Sequence, residues 1–189
     1  QLLRLAQAGD PRLDAAAAGA QDREITQYLA GVPELLARYR NAPPEARALI
    51  HAAMDARRLG MRPDLPHVFL EAAVPGYLTD SEWDQLDDDW LEQALAYTAA
   101  PCQGTRGPVT RIRPRPGVGR TSGPSAGRTS GPAYQLADYL DQAGRLTRRG
   151  QMPPATFWAA AAGYAHAGDL TPLADAAYAL APRQRARLM

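Results

Sequence analysis

The sequence predicts a mainly α-helical protein with one short β-hairpin, and three observations favour this fold class. Apolar residues recur at helical spacing along most of the chain, alanine forms runs such as 15–18 and 159–162, and the segment 109–113 follows the two-residue period of a half-buried strand. Hydrophobic residues make up 46% of the chain, enough to form a core. Because alanine favours helix but buries little area, the helices should pack closely with modest stabilisation per residue.

Residues 1–100 are predicted to form a helical bundle. Its clearest helix spans about 44–59, with Leu49, Ile50 and Met54 in the apolar stripe and Gly60 as a left-handed stop. Shorter helices are expected near 33–39, 65–73 and 90–98, and Thr79 or Asp80 should cap a turn between the last two.

The three tryptophans, Trp83, Trp90 and Trp158, are predicted to anchor separate packing sites. Truncating one of them, or an apolar residue of the clearest helix, to alanine should cost about 3–5 kcal/mol if that residue is buried.

Residues 101–150 are predicted to form a wing-like hairpin and the helix after it. Strands are expected at 109–113 and 133–136, and a helix follows through Tyr139 and Leu140. The intervening segment 114–132 is of low complexity, with Gly-Arg-Thr-Ser-Gly-Pro occurring twice, and predicts a flexible, disordered loop. Two strands joined by a long loop and followed by a helix would form a winged-helix-like subdomain.

Residues 151–189 are predicted to begin a helical repeat. Two alanine-rich helices, 155–167 and 172–181, are separated by Gly168 and Asp169. The pair has the form of one helical-repeat unit, although one copy does not define a period.

The residue types present disfavour catalysis. All 21 basic residues are arginine, so this chain has neither a Schiff-base lysine nor a phosphate-binding G-x-x-x-x-G-K-[ST] loop. No Gly-x-Ser-x-Gly elbow occurs, and Cys102 has no histidine near it in sequence. We therefore predict no catalytic, cofactor-binding or metal-binding residues and no enzymatic activity.

The same features bear on location and source. A single cysteine fits a reducing compartment, and no apolar run reaches the ~20 residues that span a bilayer. Without a signal peptide, the chain is predicted to be cytoplasmic, with no membrane partner. The arginine and alanine bias indicates an actinobacterial coding sequence. Because Gln1 falls inside an apolar-periodic segment, the chain is expected to be part of a longer protein.

Acidic residues concentrate in one short segment. Seven carboxylates occur within the thirteen positions 80–92. A calcium loop starting at Asp80 would need glycine at its sixth position and glutamate at its twelfth, where the sequence has Gln85 and Leu91. Helix capping and a solvated acidic face are therefore the favoured interpretation.

Arginine concentrates downstream, with nine arginines against two acids between 103 and 149. A basic wing can contact DNA phosphates, so five arginines are candidate contacts for nucleic acid or an acidic partner. The favoured alternative is that this region is a solubilising linker, or that it binds the acidic segment by electrostatic attraction. The five candidates are Arg111, Arg113, Arg115, Arg120 and Arg128.

Five segments carry a resemblance to a known family. They are YLAGVPELL at 28–36, ALIHAAMDARRLG at 48–60, AAVPGYLT at 72–79, DWLEQAL at 89–95 and YQLADYL at 134–140. Together they resemble the region that follows the nucleotide-binding core in actinobacterial STAND-type signal-transduction ATPases. In that family a helical bundle precedes a winged helix, and tetratricopeptide-like repeats then sense the signal.

The resemblance implies a regulatory segment rather than an enzyme. Its expected partners are an upstream ATPase core and downstream repeats of the same protein, together with other proteins. The family often places a nucleotide-contacting histidine just after the last wing strand, where this sequence has Ala137. A DNA-binding winged-helix transcriptional regulator is the alternative, with nucleic acid the less favoured partner.

Overall fold

Helix α2, Pro44–Arg58, is at the centre of the fold. It begins with proline in its first turn, where a missing N–H costs nothing, and carries Arg57 and Arg58 at its negative end. After it, Gly60 adopts a φ of 103°, and the amides of Gly60 and Met61 bond back to Arg57 and Ala56. This left-handed ending is the predicted stop, because glycine alone tolerates that φ without a steric cost.

The computed structural model describes residues 31–102, 105–113 and 131–185, with side chains to residue 181. Residues 31–40 are helical and are called α1. The remaining helices are α3 (His67–Ala73), α4 (Asp80–Trp83), α5 (Trp90–Ala99), α6 (Asp138–Thr147), α7 (Ala155–Tyr164) and α8 (Leu170–Arg185), with 3-10 turns at Val74–Tyr77 and Ala167–Asp169. The mainly helical fold class is confirmed. None of the helices in these ranges is long and apolar enough to cross a bilayer.

The strands form a three-stranded antiparallel sheet in the order β1-β3-β2. Strands β2 (Val109–Arg111) and β3 (Ala133–Leu136) form the predicted hairpin, with Val109 opposite Leu136. Strand β1 (Leu65–Pro66) pairs with the other edge of β3. Its two residues were predicted to be the first residues of a helix at 65–73, and that part of the prediction was wrong. Pro66 lacks an N–H but is tolerated because β1 is an edge strand.

One hydrophobic cluster joins the elements of the described chain. The face of α2 that carries Leu49, Ile50 and Met54 is fully buried, as predicted. Phe69 of α3 meets Phe157 of α7 edge to face, with 5.6 Å between ring centroids, so the C-terminal helix pair packs on the same core. The segment boundaries at 100 and 150 stay predictions, and packing crosses both. The loop predicted at 114–132 lies almost entirely outside the described residues.

The tryptophans differ from the prediction. Trp83 and Trp90 contact each other at 5.7 Å between ring centroids, so they share one site instead of anchoring two. Trp83 is 42% exposed, whereas Trp90 and Trp158 are partly buried against the core. The turn before Trp83 is held by a capping box in which Thr79 and Glu82 bond each other's backbone amides. This short, acid-rich helix cannot bury a large ring.

Candidate functional site

The arginine hairpin comprises the exposed side chains of Arg106, Arg111 and Arg113. Arg111 is the last residue of β2, and Arg113 lies two positions further along. Neither forms an ion pair with another residue of the described ranges. Of the predicted contacts, Arg115, Arg120 and Arg128 lie outside the described residues. The structure therefore supports exposure of the first two and says nothing of the other three.

The acidic surface is a second charged feature, formed by the exposed acids of the segment 80–92, which also contains the exposed Trp83. Its members are the exposed acids Asp80, Asp84, Asp87, Asp88, Asp89 and Glu92. None of them forms an ion pair with a described residue; of the seven predicted acids only Glu82 does, with Arg47 at 3.2 Å. Hydrogen bonds from Thr79 lower the pKa of Glu82.

These acids have the two features of the favoured interpretation, helix capping and a solvated face. Glu82 takes part in the capping box, and the other six acids are exposed. Within the described part of the chain, no group of three histidine, cysteine or acidic side chains is arranged to hold a metal ion.

A buried ionic cluster is a third feature, and sequence reasoning missed it. The carboxylate of Asp55, on α2, is completely buried. It accepts hydrogen bonds from Arg148 Nε and Nη2 at 2.7 and 2.9 Å, from Arg58 Nε at 2.7 Å and from the Tyr77 hydroxyl at 2.8 Å. A buried charge is tolerated only when paired and hydrogen-bonded, and these four bonds meet that requirement.

A second ionic layer extends the cluster along α6. Asp141 accepts from Arg57 at 3.2 Å and from Arg145 at 2.8 Å, and Arg145 also donates to the backbone carbonyl of Arg57. Beneath these bonds the two helices approach closely, because a Cβ added at Gly144 would lie 2.8 Å from the Cβ of Met54. We call this combination of ion pairs and close packing between α2 and α6 the α2–α6 junction.

The electrostatics of the junction follow from burial and charge. Burial lowers the pKa of Arg148, but the hydrogen bonds and negative charge of Asp55 outweigh burial, so that pKa is raised. Burial, together with the charge of Asp55, raises the pKa of Tyr77. Burial first, and then the charge of Arg148, lowers the pKa of His51 to about 4. His51 is therefore neutral at pH 7, and it is hydrogen-bonded to the Tyr39 hydroxyl at 2.9 Å.

The signal that could have revealed the junction is the position of Asp55. It is an acid inside the run Ala52-Ala53-Met54-Asp55-Ala56, and all five residues are buried. An aspartate in such a run is expected to find a partner, since an unpaired buried carboxylate is costly. The sequence does not indicate which of its arginines is that partner.

An open cleft of about 680 Å³ lies between the end of α5, the hairpin and the start of α6. Cys102, Arg106 and Asp138 line it, so its charges are mixed. The Cys102 thiol is buried, and burial raises its pKa. A raised pKa disfavours the thiolate, the form in which cysteine acts as a nucleophile.

Comparison with known proteins yields no assignment. The sequence matches no protein-family model, no curated protein and no solved structure. The functional argument therefore depends on the geometry and charge of the chain itself.

Proposed function

We propose that this chain is a non-catalytic regulatory and protein-interaction segment of a larger STAND-type ATP-binding protein. In this proposal it transmits the nucleotide state between an upstream ATPase core and downstream repeats. The observation that carries it is the α2–α6 junction, where a buried, fully bonded carboxylate joins the central helix to the helix that leads into the C-terminal pair. Such a junction can pass on a change in orientation, because packed cores do not deform continuously.

The order of the elements supports a winged helix in this segment. From α2 onward the chain runs helix, strand, helix, helix, strand, strand, apart from the short α4, and the last strand lies between the other two. That is the order expected of a winged helix, with the β2–β3 hairpin as the wing. The sequence resemblance implies the same arrangement between an ATPase core and helical repeats.

A rigid connection between the wing and the C-terminal helices is what transmission requires. Helix α6 begins two residues after β3 and ends where Arg148 enters the junction. Arg58 also donates to the backbone carbonyl of Gln151, just before α7. In this proposal a movement of the hairpin passes through α6 and the bond between Arg58 and Gln151 to the segment that leads into α7 and α8.

A DNA-binding winged-helix regulator is the second candidate, favoured by the exposed Arg111 and Arg113. Helix α5 argues against this candidate. It corresponds to the helix that helix-turn-helix proteins place in the major groove. Helix α5 has no basic residue, contains Glu92 and directly follows three aspartates. An acidic segment at that position repels phosphates, so a protein partner is favoured over DNA.

Two measurements on the parent protein test the proposal. First, the reading frame upstream of Gln1 should encode a G-x-x-x-x-G-K-[ST] loop, and a frame without one would end the STAND hypothesis. Second, hydrogen exchange in full-length protein should show protection of α6 amides that changes between the ADP and ATP-analogue states.

Two variants show whether the junction carries that change. Arg148→Ala should abolish the nucleotide-dependent difference in α6, whereas Arg149→Ala, an exposed neighbour, should preserve it. A difference that persists unchanged in Arg148→Ala would remove the junction from the transmission route. Absence of any nucleotide effect in unmutated protein would refute transmission itself.

A further inference from the structure

We propose that this chain associates with a second copy, whose arginine hairpin docks on the acidic surface of the segment 80–92. This proposal goes beyond the regulatory function above and does not depend on it. It is carried by two surfaces of opposite charge that form no ion pairs with one another within the described residues, and by an exposed aromatic ring in the same segment as the acids.

The acidic surface has a mixed chemistry that suits arginine. Trp83 is 42% exposed and is held by its edge-to-face contact with Trp90, so its ring is a fixed, accessible face. Carboxylates flank it on both sides in sequence, with Asp80 before it and Asp84 and Asp87 to Asp89 after it. An arginine can bond a carboxylate with its forked donors while its guanidinium plane stacks on an indole ring.

The arginine hairpin is the matching surface. Arg106, Arg111 and Arg113 are exposed, and none of them pairs with an acid of the described chain. Arg106 precedes Gly107, which packs against the backbone of Thr98 and Ala100 at the C-terminal end of α5. The aspartates stand at the other end of this ten-residue helix, about 15 Å away.

Two modes of association can bring these opposite charges together. A two-fold dimer places the acidic surface of each copy on the arginine hairpin of the other, so that the same contact forms twice. A heterologous contact uses one surface of each copy and continues head to tail unless a rotation closes a ring. Attraction between such surfaces is screened as salt rises, since the Debye length falls from about 30 Å at 0.01 M to about 3 Å at 1 M.

Complementary charge reversals test the proposal on the full 189-residue chain. Sedimentation velocity of the unmutated chain at low salt should show a mean mass that rises with protein concentration and falls to that of one chain near 1 M salt. Asp87→Arg/Asp88→Arg and Arg111→Asp/Arg113→Asp should each be monomeric. Mixing these two variants should restore association, because each keeps the surface that the other has lost and the two reversed surfaces also attract each other.

Further variants separate this interface from general charge effects. Glu71→Arg/Arg149→Asp reverses two exposed charges outside both surfaces and should associate like the unmutated chain. Trp83→Ala should weaken association at least about tenfold. Far-ultraviolet circular dichroism of each variant checks that it is folded.

Three outcomes would overturn the proposal. One is an unmutated chain that stays monomeric at low salt. Another is charge-reversed variants that associate as well as the parent. The third is a mixture that gains no mass. A salt response of tryptophan emission in the unmutated chain that does not depend on concentration would then show that the arginines bind the acidic surface of their own chain.

Discussion

Arg148 donates two hydrogen bonds to the carboxylate of Asp55, at 2.7 and 2.9 Å, although the two residues are 93 positions apart in sequence. The arginine caps the end of α6, and the aspartate lies in the last turn of α2 with no solvent exposure. This pair fixes the C-terminal end of α6 on the core. Further hydrogen bonds from Arg58 and Tyr77 satisfy the rest of the Asp55 carboxylate. Loss of any donor therefore weakens a connected network.

Arg148→Ala should lower the free energy of unfolding by about 3 kcal/mol. Removal of one partner of a buried ion pair leaves the other charge undercompensated, which is typically more costly than the net worth of the pair. Urea unfolding followed by circular dichroism measures the loss. Arg149→Ala is the matched control, because that side chain is exposed, and it should change stability by less than about 0.5 kcal/mol. Equal effects of the two variants would contradict the role assigned to the pair.

The sequence predicted the local features of this fold and missed the long-range ones. The helix 44–59, its stop at Gly60 and the hairpin strands are encoded by residues close to one another, and each is present. Strand β1 has only two residues, and its pairing with Tyr134 comes from distant chain. No local period reveals a strand that short, so it was predicted as helix.

The candidate site was predictable to a similar extent. The exposure of Arg111 and Arg113 followed from their position in a hairpin that leads into a low-complexity loop. The junction did not follow, because the acid and its partner Arg148 lie on different helices and the sequence offers many arginines for one buried carboxylate. Trp83 was expected to be buried by its residue type, yet a short helix among acids leaves it at the surface.

Gly144→Ala should destabilise the protein by about 1–3 kcal/mol. The added Cβ would lie 2.8 Å from Met54 Cβ and 2.9 Å from Met54 Cγ, so α6 would have to move off α2. Gly163→Ala is the control, since a Cβ there meets nothing within 4 Å, and alanine in a helix is favoured by up to about 1 kcal/mol. Thermal unfolding should therefore shift in opposite directions, and a stabilising Gly144→Ala would show that the helices do not pack this closely.

Leu49→Ala should cost about 2–5 kcal/mol and Trp83→Ala less than about 1 kcal/mol. Leu49 is completely buried on α2, and its truncation leaves a cavity in the core. Trp83 is larger but 42% exposed, and its removal opens a surface recess that water fills. Chemical unfolding of both variants decides the order, and a larger loss for Trp83→Ala would place the core of the protein at the tryptophan pair.

Stability should rise with pH between about 4 and 6.5 because of His51. Its pKa is about 4 in the folded protein against 6.5 when unperturbed, so the unfolded state binds more protons in that window. Unfolding is therefore favoured as pH falls through it, and the contribution levels off below pH 4 and above pH 6.5. His51→Gln should flatten this part of the profile of unfolding free energy against pH. If the variant has the same slope as the parent, the pH dependence of the unfolding free energy comes from other groups.

Duplex DNA should bind this chain no more tightly than about 10⁻⁴ M at physiological salt, the weak limit of non-specific binding. Exposed arginines at 111 and 113 attract the DNA phosphates. Helix α5 is the helix that would enter a groove, and the three aspartates before it repel the DNA backbone there. Fluorescence anisotropy with a labelled duplex measures binding across a salt series. Replacing the aspartates with asparagine should strengthen binding, while Arg111→Gln/Arg113→Gln should abolish what remains. Tight binding by the unmutated chain that weakens steeply with salt would instead support the DNA-binding regulator, since it would show that the hairpin outweighs the acids.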